Sequence, residues 1–429
     1  MMLCVKNGMV VDGISAVPYK ADILIDKGKV INIGKDIENT ADEVIDAAGK
    51  WVLPGLVDAH CHLREPGFEY KEDIGSGTRS AAAGGFTSVA CMANTNPVID
   101  SAAMVNYIKS MAMAKGVVKV YPIAAVTKGQ KGEELTEMGE LKEAGAVALS
   151  DDGRPIMNSH LMRLALQYAK GLDMLIISHC EDLSLVGDGV MNEGYMSTVL
   201  GLKGITRAAE EVMVARDIIL AETLDAPIHI AHVSTRGSVE LIRQAKRRGV
   251  RVTCETAPHY FSATDAWVDG YDANAKVNPP LRTDDDVEAI KQGLKDGTID
   301  IIATDHAPHH RDDKEVEYSL AANGISGFET AFSLAYTNLV ETGILSMVEL
   351  VQKMSKGPAD ILNIDAGTIG VGKPADIIVV DLDREYTVDV SKFYSKGKNS
   401  PFNGHTLKGK VIHTIVNGRV VMKDERVIV

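Results

Sequence analysis

Eight short β-rich apolar runs, separated by stretches long enough for helices, constrain this chain more than any other feature. They cover residues 52–59, 86–92, 117–124, 146–150, 174–178, 228–232, 250–255 and 299–304. Helical patterns lie between several of them. One spans 206–224, where Val212, Ala215 and Ile219 recur at helical spacing and Thr206 is available as a cap. Regular alternation of this kind predicts an α/β fold, a (β/α)8 TIM-like barrel whose chemistry gathers at the C-terminal ends of its strands.

The two ends of the chain read differently. Val5-Lys6-Asn7-Gly8-Met9-Val10-Val11 places Asn-Gly between strand-like runs, the signal for a hairpin. Residues 22–31 suggest a second hairpin, residues 411–421 repeat the Asn-Gly device, and residues 375–381 add a strand. Both termini therefore propose short strands that join into one small β-sandwich domain. The expected division is 1–53 and 364–429 for that domain and 54–363 for the barrel.

With 429 residues, 45% hydrophobic and 24% charged, the chain can bury a large core. A net charge of −14 argues against a nucleic-acid partner, and any anionic substrate would need positive charge placed locally. The first residues lack a basic segment followed by an apolar one, and no apolar run is long enough for a bilayer, so a cytoplasmic location without a membrane partner is expected. Cys4, Cys61, Cys91, Cys180 and Cys254 are scattered and odd in number, which reads as reduced thiols. Cys61 and Cys180 adjoin histidines, yet strand alternation turns them away as small buried groups.

The polar residues at the strand ends carry the chemistry. His60 and His62 stand two apart, so both imidazoles face one side of a strand. Alone, such a pair is more often a pair of ordinary core histidines. Here Asp151 and Asp152 follow the fourth run, His179 the fifth, His232 the sixth and Asp305 the eighth. A barrel would bring them to one rim, and four imidazoles with two carboxylates suit one or two zinc ions. His160, His229, His405 and His413 have no comparable setting and read as structural or surface groups. His259 follows the seventh run without an assigned role, while His306 and His310 read as supporting or solvated. Arg64, two residues beyond His62, can face the same rim and grip a substrate carboxylate in a bidentate pair; the plainer reading is a surface salt bridge.

Val57-Asp58-Ala59-His60-Cys61-His62-Leu63-Arg64-Glu65-Pro66-Gly67 resembles the signature of dihydroorotases within the cyclic amidohydrolase superfamily. Met92-Ala93-Asn94-Thr95-Asn96-Pro97 and Ala303-Thr304-Asp305-His306-Ala307-Pro308-His309 resemble two further motifs of that family. Ser150-Asp151-Asp152-Gly153, His179-Cys180-Glu181-Asp182, His232-Val233-Ser234-Thr235 and Val277-Asn278-Pro279-Pro280-Leu281-Arg282 fit in the same order. Ala93 departs from the family's usual proline. Related hydantoinases and allantoinases carry a carboxylated lysine after the fourth strand, and residues 146–152 contain none. The chain resembles instead the branch with an aspartate there, which by correspondence makes Asp152 the ligand and Asp151 the weaker candidate.

The resemblance implies a metal-dependent barrel with a small β domain, two zinc ions, and reversible cyclisation of N-carbamoyl-L-aspartate to L-dihydroorotate in pyrimidine biosynthesis. Implied metal ligands are His60, His62, Asp152, His179, His232 and Asp305. In the hydrolytic direction a zinc-activated hydroxide attacks the ring amide, and Asp305 serves as general acid and base. Implied substrate contacts are His62, Arg64, Asn94, Asn278, His309, Asn323 and Gly324, although Asn323 is not the residue expected there. A homodimer is a family-level expectation, and catalysis can coexist with association with aspartate transcarbamoylase, which co-purification would test. The competing readings are another cyclic amidase, acting on hydantoin, dihydropyrimidine or allantoin, and a non-catalytic scaffold for the transcarbamoylase. Residues 310–325 read as a surface loop over the rim, a candidate lid.

Overall fold

The computed structural model describes residues 2–37 and 41–429. The N-terminal strands are β1 (Leu3–Val10), β2 (Tyr19–Asp26), β3 (Lys29–Gly34), β4 (Glu43–Asp46) and β5 (Trp51–Pro54). Next come β6 (Leu56–Cys61), β7 (Phe86–Cys91), β8 (Lys119–Ala124), β9 (Ala148–Leu149) and β10 (Ile176–Ser178). A short pair, β11 (Met191–Asn192) and β12 (Gly204–Ile205), precedes β13 (Ile228–Ile230), β14 (Val252–Thr256) and β15 (Ile301–Ile302). The C-terminal strands are β16 (Ile377–Thr387), β17 (Thr406–Val416), β18 (Arg419–Lys423) and β19 (Arg426–Val427).

Among the described residues, eight strands form a sheet in the order β15-β14-β13-β10-β9-β8-β7-β6, with every pairing parallel. Each of the eight expected runs contributes a strand, most of them shorter than the run. Helices follow the strands in turn: Ile74–Ala83, Ala102–Lys115, Met138–Ala144, Ser159–Gly171, Ala208–Leu224, Arg236–Arg247, Asp284–Lys295 and Phe328–Ala335. The sheet nearly closes on itself. Cys61 and His306 form a parallel bridge across the seam, and the His62 N–H donates to the His306 carbonyl at 2.9 Å. Asp58 staples the same seam by accepting the Thr304 N–H at 2.8 Å and its hydroxyl at 2.6 Å. Burial pushes the Asp58 carboxyl up to about 7, against the lowering effect of those two bonds.

The terminal strands form one nine-stranded sheet with a core of its own, built from residues such as Leu3, Ile23, Ile25, Val52, Ile377 and Ile415. The two ends meet where β16 pairs antiparallel with β5, Val380 opposite Trp51 and Ile377 opposite Pro54. The run 52–59 spans two elements: β5 belongs to this sheet and β6 to the barrel. Gly55 stands at the break, where a Cβ would lie 2.1 Å from Thr87 Oγ1. We propose the division into 1–53 with 364–429 and 54–363 as domains, supported by this change of sheet. Residues 1 and 38–40 of that division lie outside the described residues.

Two local expectations are corrected. Asn7-Gly8 makes no hairpin: β1 runs through it with a register shift between Val5 and Gly8. Asn7 takes φ 63°, and its N–H donates to Asp22 at 2.8 Å, while a Cβ on Gly8 would sit 2.3 Å from Val52. The dipeptide serves a bulge that lets the strand pack against β5. By contrast, Lys27-Gly28 and Asn417-Gly418 do turn hairpins, β2–β3 and β17–β18.

The helix expected at 206–224 begins at Ala208, is capped by Arg207 without a side-chain bond, and turns Val212 and Ile219 outward at 49% and 60% exposure. Its inner face buries Met213, Val214 and Ile218 together with two acids, Glu210 and Asp217. Glu210 accepts the N–H groups of Ser234 and Thr235, and Asp217 the Ser178 hydroxyl at 2.6 Å. Partnered acids bury more readily than the apolar pattern suggests.

Candidate metal and substrate site

The rim at the C-terminal ends of the barrel strands gathers the residues singled out in the sequence. His60 and His62 leave β6 with both Nε2 atoms directed at the same point. His60 Nε2 lies 3.5 Å from Asp152 Oδ1 and 3.7 Å from Asp305 Oδ1. His62 Nε2 lies 3.5 Å from Asp152 Oδ2 and 3.2 Å from Asp305 Oδ1. Across the rim, His179 Nδ1 and His232 Nε2 are 2.8 Å apart, at 3.3 and 3.4 Å from Asp152 Oδ1. Asp152 therefore stands between two groups of donors, its Oδ1 toward His60, His179 and His232 and its Oδ2 toward His62. Asp151 points away and accepts the Val126 and Thr127 N–H groups.

Partners behind the rings fix which nitrogen faces the centre. His60 Nδ1 donates to Glu255 Oε1 at 2.6 Å, His62 Nδ1 to Asn94 Oδ1 at 2.9 Å and His179 Nε2 to Glu181 Oε2 at 3.1 Å. Each bond turns the opposite nitrogen inward, the one a metal would take. Glu255 is itself held by His229, whose Nε2 donates at 3.2 Å. His229 thus binds no centre but braces the acid that orients His60.

The donor set fits a cation. Among the described residues, His60 Nε2 and Asp152 Oδ1 are buried and have no hydrogen-bond partner, a costly state for polar atoms unless a metal takes them up. His60, Asp152 and His232 offer ligand atoms within 4.8 Å of one another, as do His60, His62 and Asp305. Electrostatics agree. Burial opposes charge at Asp152, yet the facing imidazoles of His60, His179 and His232 hold its carboxyl well below the usual range. Burial likewise opposes charge at His179, but Asp152 and Glu181 push it up to about 10. These acids demand positive charge, and a divalent ion supplies it where protons otherwise would.

A cavity of about 170 Å³ opens above this cluster. Arg64, Asn94, Asn278, Asn323 and Gly324 line it together with His62, Asp152 and Asp305. Arg64 is no surface salt bridge: its Nε donates to the Pro308 carbonyl at 3.2 Å, and Nη2 lies 3.2 Å from His309 Nε2. His309 donates through Nε2 to the Asn323 carbonyl at 2.8 Å and accepts at Nδ1 from Lys71 at 3.2 Å. That arrangement keeps the remaining guanidinium donors of Arg64 for a ligand. His306 is fully buried, stacked on Phe328, and accepts the N–H of Gly327 at 3.1 Å, so it is a support rather than a solvated group. His310 is exposed and caps the short helix after it. His259 is buried beside Tyr260, and its Nε2 has no partner among the described residues.

Sequence reasoning missed Glu255, Glu181 and Asn399. Asn399 comes from the C-terminal segment. It accepts the His309 N–H at 2.9 Å and donates to the Gly324 and Ala307 carbonyls at 2.9 and 3.1 Å, tying that segment to the rim. An acid at the end of the seventh strand was a usable signal for Glu255; nothing in the sequence near Asn399 pointed to the barrel. Among the described residues, no helix is long and apolar enough to cross a membrane.

Residues 49–238 match the dihydro-orotase-like family and residues 207–422 the amidohydrolase family. A dihydroorotase of Acetivibrio thermocellus is 61% identical over 99% of both chains, and one of Ruminiclostridium cellulolyticum 62% identical over 99% of both. Among solved structures, an L-hydantoinase (dihydropyrimidinase) of Arthrobacter aurescens superimposes with a TM-score of 0.90 at 28% identity, covering 100% of this chain and 97% of that one. A dihydropyrimidinase of Brevibacillus agri reaches 0.88 at 26% identity, covering 100% of this chain and 96% of that one.

Proposed function

Because the chain belongs to the dihydroorotase family of the amidohydrolases, we propose that it interconverts N-carbamoyl-L-aspartate and L-dihydroorotate, acting on a cyclic amide at the rim cluster. The observation that carries this reading is the buried, unpartnered donor set of His60 and Asp152 beneath a cavity that also holds Arg64. Metal chemistry and carboxylate recognition thus share one small space.

The residues that would hold the metal, which we infer to be two zinc ions, are His60, His62, Asp152, His179, His232 and Asp305. A divalent ion bound there supplies Lewis acidity, polarising the ring carbonyl and lowering the pKa of a water at the site. In the hydrolytic direction Asp305 accepts a proton from the attacking water and passes it to the departing ring nitrogen. In the reverse direction the same carboxylate takes a proton from the carbamoyl nitrogen and returns it to the departing oxygen. Arg64, held through Nε by the Pro308 carbonyl, grips the substrate carboxylate with its free donors, and Asn94 adds an amide N–H. Asn278, Asn323 and Gly324 close the far wall around the ring.

The bridging position argues for dihydroorotate over hydantoin, dihydropyrimidine or allantoin, since Asp152 stands where those amidases use a modified lysine. A panel of the four rings tests the choice. Turnover of dihydroorotate at least ~100-fold above the other rings, a discrimination of a few kcal/mol, is expected. Turnover of hydantoin or allantoin with none of dihydroorotate would overturn it.

A further inference from the structure

Lys314 ends the short helix Arg311–Lys314 and is buried, with 6% of its surface exposed. Its Nζ donates to three main-chain carbonyls: Ala322 at 2.7 Å, Lys276 at 3.2 Å and Gly324 at 3.3 Å. Burial and the neighbouring Lys276 charge lower its pKa to about 7, and in the ammonium form its three N–H donors are all engaged by these carbonyls. None of the three partners is a carboxylate, so this lysine is not half of an ion pair. Its task is to bind backbone.

The identity of that backbone gives the lysine a role. Ala322 and Gly324 flank Asn323, and Lys276 stands two residues before Asn278. The Gly324 N–H also donates to the Lys276 carbonyl at 2.9 Å, so the two segments are joined directly as well as through the ammonium. Asn278, Asn323 and Gly324 are the cavity-lining residues of these segments. His309 already engages the Asn323 carbonyl and Asn399 the Gly324 carbonyl. Among the described residues the Asn323 N–H makes no hydrogen bond, which leaves one donor of this wall for a ligand.

We propose that Lys314 is a positioning residue for the substrate: a buried ammonium that locks residues 322–324 against residues 276–278, presetting the wall of the cavity that faces the metal cluster. The ligand's identity rests on the dihydroorotase reading; the clamp does not. A preset wall lowers the ordering cost of binding without touching the reacting bond, so its loss weakens ground state and transition state alike.

Lys314→Met removes the donors while keeping the side chain's length and apolar stem. Steady-state kinetics on dihydroorotate, with metal content measured in the same samples, should show KM raised at least tenfold, kcat changed less than threefold and metal content as in the wild type. A KM within twofold of wild type, or a loss confined to kcat or to metal, would overturn the proposal. Hydrogen exchange on the ligand-free wild-type and Lys314→Met proteins gives a second readout that needs no turnover. The amides of Ala322 and Gly324, which bond the Asp313 and Lys276 carbonyls, should exchange at least tenfold faster in the variant, whereas equal rates would contradict a clamp. If the wild type fails to turn over dihydroorotate, the functional reading falls, and the exchange rates still decide on the clamp.

Discussion

Asp305 carries two duties in this account, ligand and proton carrier, and its surroundings suit both. Its carboxylate sits 3.2 Å from His62 Nε2 at the cavity floor. Burial works against its charge, but the His62 hydrogen bond and the charges of His60 and His62 hold it below the ordinary carboxylate value. Asp305→Asn keeps the shape and removes the proton acceptor, so kcat should fall by ~10²–10⁴-fold with an unchanged fold by circular dichroism. Wild-type turnover in metal-replete Asp305→Asn protein would refute the assignment. The inward residues were legible in the sequence because ligand chemistry restricts them to few residue types at strand ends. Their supports were less so. Glu255 and Asn399 act through partners distant in sequence, and although Glu181 meets His179 only two residues away, a carboxylate or amide offers no local sign of which ring it will meet.

At the scale of elements, the eight strands could be read because parallel barrel strands are buried on both faces and appear as apolar runs. Their limits could not. The first run crosses from one sheet to the other at Gly55, and only the contact with Thr87 reveals why a residue without a side chain stands there. Gly55→Ala should cost about 1–3 kcal/mol through overpacking against that buried threonine. A melting temperature equal to wild type would show that the junction is looser than its geometry implies. The helix Ala208–Leu224 shows a second limit. Apolar residues lie on most of its faces, so periodicity could not choose the inner one, which buries Met213, Val214 and Ile218 together with the partnered acids Glu210 and Asp217.

Over the whole molecule, the terminal sheet does more than flank the barrel, since Asn399 reaches the rim and Glu329 binds the C-terminal segment. Glu329 Oε1 accepts the Ser80 hydroxyl at 2.8 Å and the N–H groups of Tyr394 and Ser395 at 2.7 and 3.2 Å. Burial pushes this carboxyl up to about 7 from an ordinary 4.5. The native state therefore keeps a proton that the unfolded chain has released between those values. The group's stabilising contribution is complete below the lower value and lost as pH rises through the upper one. Glu329→Gln retains an acceptor and cannot ionise, so it should flatten the decline in stability between about pH 5 and pH 8 by on the order of 1 kcal/mol. An unaltered pH profile in chemical denaturation would show that Glu329 does not titrate in this range. The central claim, however, concerns the buried donors of His60, His62, Asp152, His179, His232 and Asp305. It is tested most directly by measuring dihydroorotate turnover and metal content on the same sample as metal is stripped and returned. The account predicts that turnover disappears with the metal and returns with it, reaching its plateau at two ions per chain; full turnover by metal-free protein would contradict it.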